Sequence, residues 1–383
     1  MSNFETFSNI YELMDYTYGK GHSVLNMVQK DAPVLTSTTG VFNAVYGAMA
    51  FSQLNNEANV FAALPKYPWQ HSGYRAITAN ATSIGYGGYT EAGALPATIK
   101  PTFAQIDVTV KEVSHTFDVS WRQQMLVKSG DDAFGDMAQN REYAASKHAL
   151  DINAALCLDI TTLPQKQFES IDRVTGATSL VTQGLADAAD EDIYGIDRSS
   201  GGSWADAQVS SNSGTDRVLT LKLVEDVLAL TRAAGGRTNV ILTGHDTMMR
   251  IHSLMQNSVR YQGLLTQGAA YRVGVNGVET EEGTNFGIRV SEIYGIPVIT
   301  SNSVTKDTIS RIYFLDTTMA EGTGIPRLGF ALLQPTLYAE AGMGTSNPNP
   351  FVVDGFRTEG IFYTCGELVC TFLAAQGSLR DLK

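Results

Sequence analysis

The stretch YTEAGALPATIKPTFAQIDVTVKEVSHTFDVS, residues 89–120, decides the fold because it has the pattern of the tip and return limb of a long β-hairpin. Residues 91–96 have turn chemistry, and an outgoing limb is predicted over residues 74–89. The alternation of the return limb changes phase at Lys111-Glu112, which predicts a β-bulge. An isolated two-stranded hairpin is marginally stable in water. The arm therefore needs a partner surface, and we expect another copy of the chain to supply it.

The residues after the arm change to a helical period. Apolar side chains from Ala138 to Leu163 recur at spacings of three, four and seven residues. Asp131 and Asp132 provide an N-terminal cap, and Pro164 ends the pattern. This pattern predicts one long helix over residues 131–163. An ordinary core helix fits the apolar stripe equally well, but the position of the helix directly after the arm favours a supporting role.

The flanking sequence predicts four further parts. Residues 1–70 contain two amphipathic helical patterns, and residues 165–217 are rich in Gly, Ser, Asp and Thr, which predicts a long surface loop. Residues 218–320 alternate between helical patterns and short apolar runs, with strands at 239–242, 296–299 and 312–315 and helices from Leu219 and Asp246. Residues 351–373 are strand-like and are expected to return to the region of the long helix.

Composition excludes several classes of protein. The 383 residues are 43% hydrophobic and 17% charged, which is typical of a soluble globular chain of two or three domains. No apolar run of membrane-spanning length and no secretory signal occur. A net charge of −12 with scattered Lys and Arg argues against a surface that grips nucleic acid. Low lysine beside abundant aspartate is typical of halophile proteins.

Neither a metal nor a cofactor is predicted. Three cysteines, Cys157, Cys365 and Cys370, are an odd number without metal-type spacing and indicate buried reduced thiols. The six histidines show no ligand spacing. The acidic residues between Asp187 and Asp197 lack the period of a calcium loop and are expected to form a solvated loop.

The turn Thr243-Gly244-His245-Asp246 follows an apolar strand and opens a helix, where α/β enzymes often place a nucleophile or base. The nucleophile-elbow pattern is absent, so Asp246 is more simply a helix N-cap and His245 a turn residue. We therefore predict no enzymatic activity. The alternative, an α/β hydrolase centred on His245, predicts a compact monomer or small oligomer.

The order of these parts resembles the major capsid proteins of tailed double-stranded DNA viruses with the Hong Kong 97 fold. Residues 89–120 resemble the extended loop of that family, with its Glu-x-Gly, Pro and Phe pattern. YGIPVITSNSV, residues 294–304, resembles the Gly-x-Pro-Val strand of the axial domain. The resemblance covers about residues 40 to 375. It implies an α+β fold with an N-arm, an extended β-hairpin loop, a peripheral domain with a long spine helix, and an axial α/β domain.

The resemblance also implies domain boundaries and assembly residues. The domains are an N-terminal arm with the first helices (1–70), the extended loop (71–120), a peripheral domain with spine helix 131–163 and a loop-rich connection (121–217), the axial domain (218–335) and return strands (336–383). The expected assembly residues are Tyr89, Glu91, Gly93, Pro96, Lys100 and Phe103. Some family members crosslink a lysine to an asparagine, and Lys100 is the lysine best placed for such a bond.

The function implied is mechanical. Copies of the chain are expected to form pentamers and hexamers of an icosahedral virion shell around double-stranded DNA, held non-specifically, without a membrane. Portal and decoration proteins are further expected partners, assembly is expected in the host cytoplasm, and the composition suggests a virus of a halophilic archaeon.

An encapsulin-like compartment that holds protein cargo is the alternative of the same fold. Because the chain starts at Met1 with an apparent docked arm, we expect no removal of an amino-terminal scaffolding segment.

Overall fold

The structure is a computed structural model of the chain. It describes residues 59–79, 101–129, 137–162, 167–190, 192–259, 273–275, 278–280, 292–320, 324–343, 345, 349 and 352–383. Among the helices in these ranges, none is both long and apolar enough to cross a membrane.

The helices and strands follow in chain order. The first part contains α1 (Asn59–Ala63), β1 (Lys66–Pro68), β2 (Gly73–Ala79), β3 (Thr102–Asp107), β4 (Lys111–Ser120), α2 (Trp121–Ser129) and α3 (Met137–Leu156). The middle contains α4 (Ile171–Val174), α5 (Thr178–Thr182), β5 (Gln208–Ser210), α6 (Leu221–Ala233), β6 (Val240–Thr243) and α7 (His245–Val259). The last part contains β7 (Val273–Val275), β8 (Val278–Thr280), β9 (Glu292–Ile293), β10 (Ile296–Thr300), β11 (Ile312–Leu315), β12 (Leu328–Gly342), β13 (Arg357–Cys370) and β14 (Gly377–Leu379). Single 3₁₀ turns occur at Ser203–Ala205 and Leu373–Ala375.

The described chain forms two compact units. The smaller includes residues from His115–Ser146 and Tyr338–Phe362, and the larger includes the rest of the described residues. The predicted boundary between axial domain and return strands, residue 335, falls inside the continuous strand β12. The four domain boundaries implied by the resemblance stay predictions.

A six-stranded mixed sheet with the order β5-β14-β11-β6-β10-β9 lies in the larger unit. Its strand β11 has the sequence IYFL, and all four residues are buried. Apolar side chains of α6 and α7 pack on one side of this sheet in a cluster with Ile241, Phe314 and Leu379. The predicted strands at residues 239–242, 296–299 and 312–315 are confirmed within one residue at either end. Helix α6 ends before Gly235, whose φ of 90° is a left-handed conformation that favours glycine.

The smaller unit has an aromatic core of its own. The rings of Phe117 and Phe362 stack with centroids 6.1 Å apart, and Tyr338 lies 5.0 Å from Phe362. The guanidinium of Arg141 lies 5.5 Å above the Tyr338 ring. Strand β4 supplies Phe117 from the end of the predicted return limb, so this part of β4 packs within the chain.

The predicted bulge at Lys111-Glu112 is wrong, because the chain changes sheet there. β3 pairs with β2 in a two-stranded sheet, whereas β4 belongs to a four-stranded sheet with the order β1-β12-β13-β4. Residues 108–110 between the two strands have no regular structure. The arm formed by β2 and β3 therefore ends at Asp107, and the return limb does not continue to residue 120 as predicted.

The long helix is present but ends earlier than predicted. Helix α3 ends at Leu156, where the prediction extended it to Leu163, and the predicted start at residues 131–136 lies outside the described residues. Ile160 continues the apolar period, yet its N–H donates to the carboxylate of Asp172 at 2.8 Å instead of to a helical carbonyl. The hydrogen bond from Ile160 to the side chain of Asp172 therefore takes the place of the last predicted turn of α3.

The loop-rich connection is much more buried than predicted. It contains α4, α5 and β5, and the side chains of Phe168, Ile171 and Leu180 are completely buried. Its composition predicted a solvated loop, but many of its polar groups are paired inside the protein.

One buried carboxylate links this connection to the six-stranded sheet. Oδ1 of Asp172 accepts hydrogen bonds from the Tyr313 hydroxyl and from Arg380, each at 2.8 Å. Oδ2 accepts from Ile160 N and from Arg311, again at 2.8 Å each. Burial, followed by the Asp172 charge, raises the pKa of Tyr313 well above its ordinary value, so its hydroxyl stays a donor. The carboxylate is fully buried and its four partners come from three separate parts of the chain.

Replacement of Asp172 by Asn should strongly destabilise the larger unit. The change leaves the buried guanidinium of Arg380 without its carboxylate, and breaking a buried ion pair costs about 3–5 kcal/mol. Urea unfolding of the unassembled chain should show a correspondingly lower midpoint. The matched control is Asp226→Asn, which removes an exposed pair with Lys222 and should change stability by less than about 1 kcal/mol. Equal shifts for the two variants would contradict a structural role of Asp172.

Candidate assembly surface

The described part of the arm is a short antiparallel ladder. Tyr74 pairs with Ile106, Ala76 with Ala104, and Ile77 with Phe103. Because side chains alternate along a strand, the ladder has two faces with different chemistry.

The inner face of the arm packs on the larger unit. Ile106 is buried, and Tyr74 and Ala76 are half-buried against the main hydrophobic cluster. The base of the arm is therefore part of the folded core, which fixes the direction in which the arm leaves it.

The outer face carries an exposed apolar pair. Ile77 and Phe103 are each 61% exposed and lie directly opposite each other in the ladder. A cross-strand apolar pair on a two-stranded sheet gains little stability while it faces water, and exposed apolar surface of this kind marks sites of association. This face is the candidate assembly surface.

Of the six assembly residues implied by the resemblance, the structure describes only one. Phe103 lies in β3 on the exposed outer face, and the other five, Tyr89, Glu91, Gly93, Pro96 and Lys100, lie outside the described residues. Ile77 was predicted only as part of the strand pattern. Its partnership with Phe103 depends on the register of the hairpin, which the alternation alone does not determine.

Backbone hydrogen bonds hold the base of the arm. The N–H of Asp107 donates to Tyr194 O at 2.9 Å, and that of Val108 donates to Ser72 O at 2.8 Å. The hydroxyl of Tyr194 in turn donates to Leu368 O in β13 at 2.6 Å. The end of β3 is thus joined through Tyr194 to the four-stranded sheet.

An ion cluster lies directly after the break between β3 and β4. Nζ of Lys111 is 3.0 Å from Glu169 and 3.1 Å from Glu367. The other oxygen of Glu367 accepts hydrogen bonds from the N–H groups of Glu169, at 2.7 Å, and Leu368, at 2.9 Å. Sequence reasoning missed this cluster, although a single glutamate within the apolar run CGELVC, residues 365–370, is a signal of a paired buried charge.

Burial raises the pKa of the Glu367 carboxyl from 4.5 to about 7, while Lys111 and the Glu169 N–H oppose the increase. The folded chain therefore binds a proton at Glu367 more tightly than the unfolded chain does. The resulting stabilisation is fully present below the unfolded pKa and is lost as the pH rises through about 7.

The turn at His245 joins strand β6 to helix α7. Helix α7 begins at His245, so Asp246 lies in the first turn and the N-cap prediction is wrong. The Asp246 carboxylate accepts hydrogen bonds from Ser310 Oγ at 2.6 Å and Thr247 N at 2.9 Å, and it pairs with Lys306 at 3.1 Å. These contacts attach the 306–310 loop to α7.

The other predictions about chemistry have mixed outcomes. The three cysteines are buried free thiols, as predicted. The acidic loop is not fully solvated, because Asp190 is buried and its carboxylate accepts a hydrogen bond from Asp187 N. Within the described ranges, no group of three or more His, Cys, Asp or Glu side chains is arranged to hold a metal ion.

The raised pKa of Glu367 predicts a pH-dependent effect of Glu367→Gln. Glutamine can still accept the two N–H bonds but cannot ionise, so the variant should lack the loss of stability that the wild type shows as the pH rises from about 4.5 to about 7. At 1.36 kcal/mol per pKa unit the difference amounts to at most about 3 kcal/mol. Urea midpoints of the unassembled chain at pH 5.5 and 8.5 measure it. Glu359→Gln, at a half-buried position where the carboxylate pairs with Arg357, should shift both midpoints equally; the same behaviour at Glu367 would refute the prediction.

Comparison with known proteins identifies the fold and the family. The chain is similar to the protein of a cyanophage A-1(L) capsid, with a TM-score of 0.60 and 15% identity over 90% of this chain and 98% of that chain. It is similar to the capsid protein of a native GTA particle, with a TM-score of 0.50 and 15% identity over 91% and 100% of the two chains. An encapsulin complex from Synechococcus elongatus also matches, with a TM-score of 0.45 and 11% identity over 90% and 94%. No curated protein matches the sequence.

At these identities the solved structures show the fold alone, which is the α+β Hong Kong 97-type fold of phage capsids predicted from the sequence. A family model described as SU10 major capsid protein matches residues 60–321, well over half of the chain. The chain therefore belongs to the SU10 major capsid protein family and is a structural component of a virion capsid.

Proposed function

We propose that copies of this chain assemble into the pentamers and hexamers of a closed icosahedral shell, with each arm lying on a neighbouring copy. The single observation that carries this proposal is the exposed pair Ile77 and Phe103 on a two-stranded arm. A neighbour that covers the pair removes apolar surface from water, and the same contact repeated around every subunit gives cumulative strength.

The construction of the arm suits it to this role. Its base is held by the bonds to Tyr194 and Ser72, so the direction of the arm is set before assembly. The glycines of residues 85–93 supply backbone freedom toward the tip, which a shell needs because the same surfaces must meet at slightly different angles in pentamers and hexamers. Tyr89, Glu91, Gly93, Pro96 and Lys100 are the tip residues that we propose to contact the neighbour.

The proposed content of the shell is double-stranded DNA, held without sequence preference. The net charge of −12 and the scattered basic residues limit tight binding of a polyanion to the protein surface. They favour a shell that encloses the DNA without binding it tightly. Portal and decoration proteins are the further partners that such a shell requires or accepts, and assembly takes place in the host cytoplasm. The halophilic archaeal host stays a prediction from composition.

Charged substitutions of the exposed pair should abolish assembly without unfolding the chain. Ile77→Lys and Phe103→Lys place a charge where a neighbour must bury apolar surface, so the shell fraction in sedimentation should fall at least about tenfold. The controls are Ile77→Val and Phe103→Tyr, which keep most of the apolar area and should still form shells. Circular dichroism and the urea midpoint should match the wild type. Normal shells from both lysine variants would contradict the proposed contact.

The particle content distinguishes a capsid from a cargo compartment. Particles purified from infected cells and treated with external nuclease should release protected double-stranded DNA when they are denatured. Sequencing of that DNA should show coverage of a viral genome with no enrichment of a short motif. Particles that contain instead a single cellular protein and no protected DNA would favour the encapsulin-like alternative.

A further inference from the structure

The ion cluster at the start of β4 brings an amine between two carboxyl groups. Nζ of Lys111 lies 3.0 Å from Oε1 of Glu169 and 3.1 Å from Oε2 of Glu367. Only 1% of the Glu367 side chain is exposed, compared with 12% for Glu169 and 13% for Lys111. An amine and a carboxyl group are the reactants from which an amide bond forms. Their fixed contact removes the entropic cost of bringing them together.

The two oxygens of the Glu367 carboxyl have different surroundings. Oε1 accepts hydrogen bonds from the backbone N–H of Glu169 at 2.7 Å and from that of Leu368 at 2.9 Å. Oε2 is buried beside Nζ of Lys111 and accepts no hydrogen bond from the described residues. Two N–H groups on one oxygen of an acyl group are the arrangement that stabilises the oxyanion of a tetrahedral intermediate. The second oxygen is then the one that can leave.

Burial favours the protonation states that amide formation needs. It raises the pKa of the Glu367 carboxyl to about 7, so a large fraction of this group is protonated near neutral pH. A protonated carboxyl is a better electrophile than a carboxylate. The Glu169 carboxylate, in contact with Nζ of Lys111, is within reach to take a proton from the ammonium and so produce the nucleophilic amine. A neutral amide also removes the cost of keeping two charges buried.

We propose that Lys111 and Glu367 of the same chain form an amide bond, with Glu169 as the base. Nζ attacks Cδ of Glu367, the C–N bond forms, and the negative charge develops on Oε1 between the two N–H groups. Nζ loses two protons to Glu169 in turn, one before the attack and one from the tetrahedral intermediate. Glu169 delivers one of them to Oε2, so that the Cδ–Oε2 bond breaks and water leaves, and passes the other to solvent. The cavity of about 450 Å³ that these side chains line receives the water.

The bond joins the first residue of β4 to β13 and closes a covalent loop within one subunit. It needs no neighbouring copy, so it does not depend on the proposed shell function. The freshly purified chain keeps an ionisable Glu367 and the pH-dependent stability that follows from it. Bond formation removes that carboxyl group, so the dependence of the urea midpoint on pH disappears in the bonded chain.

Intact-mass spectrometry of the full-length chain tests the bond. Wild-type protein, incubated folded at neutral pH until its mass is constant and then denatured, should be lighter than its sequence mass by one water molecule. A proteolytic digest should contain a branched peptide that joins Lys111 to Glu367. Lys111→Arg keeps the positive charge but has no nucleophilic amine, so it should keep the full sequence mass. The control Lys222→Arg, at an exposed ion pair with Asp226, should lose water as the wild type does.

Glu169→Gln isolates the base. Glutamine keeps the shape of the side chain but does not take up the proton, so water loss should be about a hundredfold slower. A wild-type rate in this variant would overturn the role of Glu169 as the base. The full sequence mass in folded wild-type protein after incubation would overturn the bond itself, as would the same loss of water in Lys111→Arg. The branched peptide is sought in the wild type, so the test does not depend on the folding of any variant.

Discussion

The fold depends on the burial of one charge. The carboxylate of Asp172 is completely buried, and a charge in that position is tolerated only when it is paired and fully hydrogen-bonded. Its four donors lie at residues 160, 311, 313 and 380, so one side chain sets the relative positions of the end of α3, strand β11 and the segment after β14. The hydrogen bonds of Asp172 also explain why the connection that contains it is buried, although its composition is polar and rich in glycine. That connection supplies the acceptor for Arg311 and Arg380, which lie next to strands β11 and β14.

A second constraint acts where the arm leaves the body. The chain leaves a two-stranded sheet at Asp107 and enters a four-stranded sheet at Lys111. The backbone groups of the three residues between them, 108–110, therefore belong to neither strand. The N–H of Asp107, the last residue of β3, donates to Tyr194 O, and the N–H of Val108, the first of the three, donates to Ser72 O. The ion cluster of Lys111 with Glu169 and Glu367 fixes the start of the next strand. The base of the arm is thus held in place by contacts within the same chain.

The sequence predicted those elements whose formation depends on local pattern. The apolar run at 312–315 became β11, and the pair Gly235-Gly236 ended α6, because both signals lie within a few residues. The errors share one cause, which is contact between residues distant in sequence. Helix α3 ended early because Ile160 N bonds Asp172, and the expected bulge at Lys111 was a change of sheet partner that no alternation within one strand reveals. At the candidate surface the pattern located the arm and Phe103, but not the opposite partner Ile77, since pairing depends on register.

Buried charges and exposed apolar residues are divided between folding and assembly. The charges of Asp172 and Glu367 are matched by partners within the same chain, so neither carboxylate needs a neighbouring copy for its pairing. The apolar pair Ile77 and Phe103 has no such match among the described residues, and we propose that a neighbouring copy covers it. Under this proposal, folding and assembly use separate sets of side chains. A subunit of this kind can be fully folded before it meets a neighbour, and each contact between subunits can be weak enough to reverse while the shell is still incomplete.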